Sequence, residues 1–358
     1  MANGTPGSKP EELSVDEIAE QYRVLRPSYE RLAVVVRDCL VSEIAAIGLT
    51  IDGCTYRVKT VESFQEKVLR EEKDYKDPLT EVTDLAGVRA MVHFRSDIET
   101  VSDIVRRKFI IDEKNSVDFN KASDPKVFGY NSAHFVVTLP GQLVPAEAPG
   151  IATLKCEIQI RTILQHAWAA TAHGLIYKPP TEPPRTIERR FYALSGLLEI
   201  ADNELEDLRD YGRRLESEIG NRIDRGDLEI EIEPIALRVF LSKKAFRNQH
   251  GSSITGEVLR DITEEARAVG ITTLSALNRA IGEFPAEAVE ALRLELNYVR
   301  RSGIGKVRDI LKYRSPQAYY DFVRQSHPEW DIPTIRVFCD RVAALKRDRL
   351  SPGPGEVR

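Results

Sequence analysis

Leu154-Lys-Cys-Glu-Ile-Gln-Ile-Arg161 is the stretch on which the fold turns. A period of two places Leu154, Cys156, Ile158 and Ile160 on one face and Lys155, Glu157, Gln159 and Arg161 on the other. The apolar row requires a core beneath it, so the segment from about Leu154 to Ile160 is a strand. Alternation alone leaves the polar row open, because the solvated outer face of an edge strand reads the same way. A helix is expected next, from about Thr162 to Tyr177, and Pro179-Pro180-Thr-Glu-Pro183-Pro184 cannot continue it.

Upstream, Phe128-Gly-Tyr-Asn-Ser-Ala-His134 opens a strand that runs from Tyr130 to about Thr138 and sets Tyr130, Ser132 and His134 on one face. The loop before it carries Lys121 and Lys126. An aromatic ring can stack on a base while cations hold phosphates, although a Tyr and a His in a strand also serve packing. Further upstream, Val88, Ala90, Val92 and Phe94 alternate in a strand beginning at Leu85. A strand from Phe109 to Val117 lies between. Before them all, a strand from Cys54 to Thr60 places Arg57 and Lys59 on one face, and Ser63, Lys67 and Arg70 follow at i, i+4 and i+7 of a helix. Those cations outline a phosphate clamp at a strand-to-helix junction, or else a solvated basic face. Asp84-Leu-Ala-Gly-Val-Arg89 puts a carboxylate just before its strand. With Glu157 on a neighbouring strand it would offer the oxygen ligands that Mg²⁺ takes alongside substrate phosphates.

Capping boxes at Ser14-Val-Asp-Glu17, Ser63-Phe-Gln-Glu66 and Ser96-Asp-Ile-Glu99 place three helix starts, and Pro27 is expected to kink or restart the first helix. The element order gives an α+β domain with a mixed sheet flanked by helices. Beyond the proline-rich boundary, Phe191, Leu194, Leu198, Ala201, Leu205 and Leu208 form the seam of a long helix that packs on its own domain or on a second copy. From about Gly226 the chain reads as mainly helical, with starts at Pro285 and Ser315-Pro316. The expected divisions are 1–49 (helical), 50–184 (the sheet domain), 185–225 (the long helix), 226–348 (a helical domain) and 349–358 (a disordered tail).

The 358 residues, 42% hydrophobic and 30% charged, suffice for two cores. Cys39, Cys54, Cys156 and Cys339 are too scattered for a zinc or disulfide framework. No apolar run approaches the ~20 residues of a membrane span, and the polar opening lacks a signal-peptide layout, so a cytoplasmic protein is expected. A net charge of −5 argues against a general nucleic-acid coat.

Taken together, Tyr56-Arg-Val-Lys-Thr-Val-Glu-Ser63 with Lys67 and Arg70, Asp84-Leu-Ala-Gly-Val-Arg89, Gly129-Tyr-Asn-Ser-Ala-His134, and Glu157-Ile-Gln-Ile-Arg-Thr162 continuing to His166, Trp168, His173 and Tyr177-Lys178 resemble the synthetase domain of RelA/SpoT enzymes over about Thr50 to Lys178. The resemblance implies a sheet related to the nucleotidyltransferase fold. It also implies Mg²⁺-dependent transfer of the β,γ-diphosphate of ATP to the 3′-hydroxyl of GDP or GTP. Asp84 would bind Mg²⁺, and Glu157 would assist it and act as general base. Arg57, Lys59, Ser63, Lys67 and Arg70 would hold ATP phosphates, with Arg89 near the donor. Tyr130 would stack on guanine. Lys121, Lys126, Ser132, His134, Gln159 and Arg161 would serve the acceptor.

Two departures touch the acceptor side: no basic residue stands just before Asp118, and Asn131 stands where many relatives carry Arg or Gln. A toxin-like relative that modifies the 3′ end of tRNA, or a nucleotide-binding regulator without turnover, are the alternatives. No His-Asp pair of the family's hydrolase is present, so product hydrolysis is not expected. Self-association and a regulatory partner for the C-terminal region stay open.

Overall fold

The computed structural model describes residues 14–69, 75–118, 132–172, 184–243, 254–296 and 304–350. Contacts divide the chain into two compact units, Met1–Arg209 and Asp210–Arg358.

The first unit opens with α1 (Val15–Ala46), capped by Ser14 through the expected capping box. Pro27 lies inside this helix, which continues through it without restarting. Its ring sits on the exposed side, where the missing N–H bond faces water. Tyr22, Tyr29, Leu32, Ala33, Val36, Leu40 and Ile44 meanwhile continue one buried stripe across it.

Among the described residues six strands follow: β1 (Ile51–Val58), β2 (Ala86–Val92), β3 (Ile110–Ile111), β4 (Val117–Asp118), β5 (Ala133–Thr138) and β6 (Cys156–Thr162). They pair in the order β1-β2-β6-β5-β3, with β4 also on β5. β2 and β6 are parallel, whereas β1 on β2 and β5 on β6 are antiparallel, which makes the sheet mixed as expected. β6 is therefore an interior strand, so its polar row is not the outer face of an edge. The single strand expected over 109–117 is instead two short pairings, split by a turn in which the Ser116 hydroxyl donates to Asp112 O and accepts from Val136 N–H.

Cys156, Ile158 and Ile160 of β6 are buried with Ala86, Val88, Ala90 and Val92 of β2 and Phe135 and Val137 of β5. α1 and α4 (Arg95–Lys108) cover that apolar face. The opposite face carries the polar row. Short helices α2 (Val61–Val68) and α3 (Pro78–Glu81) join β1 to β2.

Two capping expectations are corrected. Thr60 caps α2 by accepting from Ser63 N–H at 3.1 Å, which leaves Ser63 inside the helix. Helix α4 begins one residue before Ser96, and the Ser96 N–H donates to Glu206 at 3.0 Å rather than to a local cap. Both are competitions that local spacing cannot resolve, because Thr60 and Ser63 are equally good caps and Glu206 is remote in sequence.

Helix α5 (Ile163–Ala172) follows β6 directly. A reciprocal box caps it: Thr162 N–H donates to Gln165 Oε1 (2.9 Å) and Gln165 N–H to Thr162 Oγ1 (3.1 Å). The long helix α6 spans Arg185–Asp224, and its own domain covers only part of the seam. Phe191 is buried against Trp168, with centroids 5.1 Å apart, but Leu194, Leu205 and Leu208 are exposed. Polar residues dock this helix instead. Asp202 accepts from Thr162 Oγ1 at 2.7 Å, Arg209 pairs with Asp97 at 2.7 Å and with Glu206, and Arg209 lies over the Phe94 ring.

The second unit is helical, as expected: α7 (Pro234–Lys243), α8 (Gly256–Ala268), α9 (Leu274–Glu283), α10 (Ala286–Glu295), α11 (Ile304–Arg314), α12 (Pro316–Ser326) and α13 (Ile332–Leu350). Residues 349 and 350, expected in the tail, belong to α13. Leu237, Phe240, Ile262, Leu274, Leu311 and Val323 form its core. Within it Glu265, fully buried, accepts from Arg308 Nε (2.8 and 3.1 Å) and from the Tyr319 hydroxyl (3.0 Å). Removing the cation strands a buried carboxylate, so Arg308→Met is expected to lower this unit's stability by about 3 kcal/mol, with Glu265→Gln in the same chain recovering part of it, read by urea unfolding.

Candidate active site

The cross-strand register assembles the polar face row by row. Arg57 of β1 pairs with Gly87 of β2, and Gly87 with Glu157 of β6. In the next row Thr55, Arg89, Gln159 and His134 stand side by side, and Arg161 follows one row on. A cleft lined by Thr55, Tyr56, Arg57, Gly87, Val88, Arg89, Glu157 and Gln159 opens over these rows. Gly87 sets its floor: a Cβ there would lie 3.7 Å from the Arg57 side chain and 3.8 Å from Glu157 O. Thr55 was not singled out from the sequence. The same period of two that marked Arg57 and Lys59 reaches it one step earlier.

Asp84, whose charge is felt at Glu157, is held by Lys59 (Nζ to Oδ2 2.9 Å) and Lys67 (Nζ to Oδ1 2.8 Å). Burial works against its charge, but hydrogen bonds and positive charge from Lys67 and Lys59 outweigh that and hold the carboxyl below its usual range. Glu157 follows the same pattern. Burial would raise it, yet the hydrogen bond from His134 and that from Gln159 leave its pKa lowered, with the negative charge of Asp84 opposing.

Glu157 is held at both oxygens. His134 Nδ1 lies 3.1 Å from Oε1, and Gln159 Nε2 donates to Oε2 at 2.8 Å. Ser132 Oγ sits 2.7 Å from His134 Nε2, so Ser132, His134 and Glu157 form a line. Gln159 Oε1 in turn accepts from Arg161 at 2.6 Å and from Arg89 at 3.4 Å. Burial, then repulsion from Arg89, pushes Arg161 down to about 10, so it stays cationic at neutral pH. Arg89 is lowered by burial and by Arg57. Three guanidiniums thus crowd one end of the row, and an anionic ligand relieves their repulsion. His166 of α5 lies beside Arg89 and Arg161, and burial followed by those charges lowers its pKa. It was quoted in the sequence only as part of a motif.

Of the residues expected to act, Asp84, Glu157, Arg57, Lys59, Ser63, Lys67, Arg89, Ser132, His134, Gln159 and Arg161 are described, and all but Ser63 enter these contacts. Ser63 lies one turn before Lys67 on α2. Arg70, Lys121, Lys126 and Tyr130 lie outside the described residues.

Among the described residues no cluster of three His, Cys, Asp or Glu side chains forms a metal cage. Asp84 and Glu157 are two ionised carboxylates, which suits a hard divalent cation that arrives with phosphates and keeps most of its other ligands from substrate and water. The donor set therefore fits Mg²⁺ bound together with a nucleotide.

The family described as "Region found in RelA / SpoT proteins" matches residues 56–182. GTP pyrophosphokinase YjbM of Bacillus subtilis (strain 168) is 33% identical over 165 residues, covering 44% of this chain and 72% of that protein. This chain belongs to the RelA/SpoT family. A second RelA/SpoT relative, GTP pyrophosphokinase YwaC of the same organism, is 32% identical over 157 residues, covering 43% of this chain and 72% of that protein. Among solved structures, the small alarmone synthetase 1 from Bacillus subtilis shares 27% identity, covering 55% of this chain and 98% of its own, with a TM-score of 0.46. The chain is accordingly an enzyme of the pyrophosphokinase class. No described helix is long and apolar enough to cross a membrane.

The two lowered carboxyls have a direct readout. Glutamate and aspartate ordinarily titrate near 4.5 and 3.8, and both groups lie lower here, so neither gains a proton above those values. The turnover rate is expected to show no acid limb from these groups between about pH 8 and pH 5. A pH series at saturating substrate checks it, and a midpoint near pH 6 that vanishes in Glu157→Gln would contradict it.

Proposed function

We propose that this RelA/SpoT enzyme, through residues 50–184, transfers the β,γ-diphosphate of ATP to the 3′-hydroxyl of GDP or GTP with Mg²⁺. The observation that carries this reading is the placement of Glu157. It is ionised, fixed at both oxygens by His134 and Gln159, and lies between the Lys59–Asp84–Lys67 cluster and the Arg57, Arg89 and Arg161 group.

Asp84, with Glu157, would hold Mg²⁺, whose charge neutralises the polyphosphate. Lys59 and Lys67 would exchange Asp84 for phosphate oxygens as the donor enters, so the cations are already in place and their loss from one anion is balanced by another. Glu157 would take the proton of the acceptor hydroxyl. That oxygen attacks the β-phosphorus, the bond from the β-phosphorus to the α–β bridging oxygen breaks, and AMP departs with the electron pair. Arg57 and Arg89 bracket the cleft beside Gly87 and would grip the donor, while Gln159 and Arg161 would orient its neighbour. Little covalent chemistry is asked of the protein; positioning and charge neutralisation supply the rate.

Purified protein with Mg²⁺ and γ-labelled ATP is expected to move label onto GDP and GTP. Label on deacylated tRNA alone, or binding of both nucleotides without transfer, would overturn this reading.

A further inference from the structure

The buried stripe of α1 is built of Ala, Leu, Val and Ile except at Tyr22 and Tyr29. A tyrosine in such a stripe brings a hydroxyl that needs an acceptor once it leaves water. Tyr22 is fully buried, and its hydroxyl donates to the main-chain oxygen of Lys59 at 2.8 Å. Burial raises the pKa of that hydroxyl and keeps it a donor, and the negative charge of Asp84 acts on it in the same direction.

Lys59 is the first residue beyond β1. Its N–H donates to Leu85 O at 2.9 Å, and its carbonyl, past the last β1–β2 pair, is taken by Tyr22, with Arg26 Nε 3.4 Å from the same oxygen. The Tyr22 ring meanwhile packs on Phe64 of α2, with centroids 4.6 Å apart. Phe64 is buried and stands three residues before Lys67, so the seat of its ring sets the turn of helix that carries Lys67. One side chain of α1 therefore touches the supports of both lysines, Lys59 through its hydroxyl and Lys67 through its ring.

At their tips the two lysines meet on Asp84. Once phosphate oxygens take the place of Asp84 there, the ammonium groups are aimed from their main chains. Two long side chains converge on one anion only while their backbones keep their spacing. We propose that Tyr22 is a positioning residue for the donor end of the cleft, fixing Lys59 and α2 from behind so that both ammonium groups stay converged on the polyphosphate for which they exchange Asp84. This rests on the reading of Lys59 and Lys67 as donor ligands.

Tyr22→Phe keeps the ring against Phe64 and removes the hydroxyl. It is expected to lower kcat/KM for ATP about tenfold, mostly through KM, and to leave KM for the acceptor nucleotide within about twofold of the parent. Binding of inorganic tripolyphosphate with Mg²⁺, read by isothermal titration calorimetry, is expected to weaken by a similar factor. That measurement needs no transfer, so it tests Tyr22 even if the parent chain moves no label to GDP or GTP. Tyr29→Phe is the matched control: it removes a hydroxyl two turns further along α1, 3.4 Å from Leu79 O, and is expected to leave ATP and tripolyphosphate binding as in the parent. Unchanged donor KM and tripolyphosphate affinity in Tyr22→Phe, an equal rise in KM for both substrates, the same loss in Tyr29→Phe, or a parent chain that binds no tripolyphosphate would each overturn the proposal.

Discussion

Glu157→Gln is expected to lower kcat for diphosphate transfer by about 10³-fold with little change in nucleotide affinity. The amide keeps the shape of the carboxylate and can still meet His134 and Gln159, so the strand and the cleft survive. What is lost is the ability to take a proton from the acceptor hydroxyl and half of the negative charge facing the donor. Single-turnover transfer alongside equilibrium binding of each nucleotide separates the two terms. A loss confined to KM would place Glu157 in binding instead of chemistry. Ser132→Ala probes the same line more gently, since it removes the group behind His134 without touching the base.

Asp84→Asn is expected to cost at least as much activity, about 10³-fold or more, and to act differently on the empty protein. Lys59 and Lys67 now share one carboxylate at 2.9 and 2.8 Å, with side chains only 15% and 23% exposed. Without its charge the two ammonium groups repel each other. Thermal stability is then expected to fall, and added phosphate or ATP to restore more of it than in the parent chain, because an anion replaces the missing charge. Differential scanning fluorimetry with and without inorganic phosphate reads this directly. Equal stabilisation of the two proteins by phosphate would mean that the lysines do not depend on Asp84 for their placement.

The legible part of this molecule was whatever a local period encodes. Glu157, Gln159 and Arg161 could be put on one face because a strand has only two faces, and Cys156, Ile158 and Ile160 showed which was buried. The helical character of the second unit followed in the same way. Pairings between distant residues were not legible: nothing near Asp84 in sequence announces that Lys59 and Lys67 close on it from 25 and 17 residues away. Pro27 does not restart α1, because its ring lies on the side of the helix that meets water. The α6 seam was legible only in part, because apolar periodicity reports that a strip is to be covered and is silent on whether its own domain covers it. Asp202 and Arg209 settled that by taking the docking face for polar contacts.

The parallel pairing of β2 with β6 has a temporal consequence. Gly87 and Glu157 are neighbours in the sheet but 70 residues apart in the chain, and all of β3, β4, α4 and β5 lies between them. The two halves of the cleft therefore cannot meet until the intervening polypeptide has been made and its ends brought together, a closure whose entropic cost must be met before any contact repays it. A growing chain stopped before Cys156 holds the lysine cluster and Asp84 yet has no base. Synthesis of this enzyme thus yields no partial activity, and folding of the sheet is expected to run slowly compared with formation of the helices of the second unit, whose backbone hydrogen bonds are local.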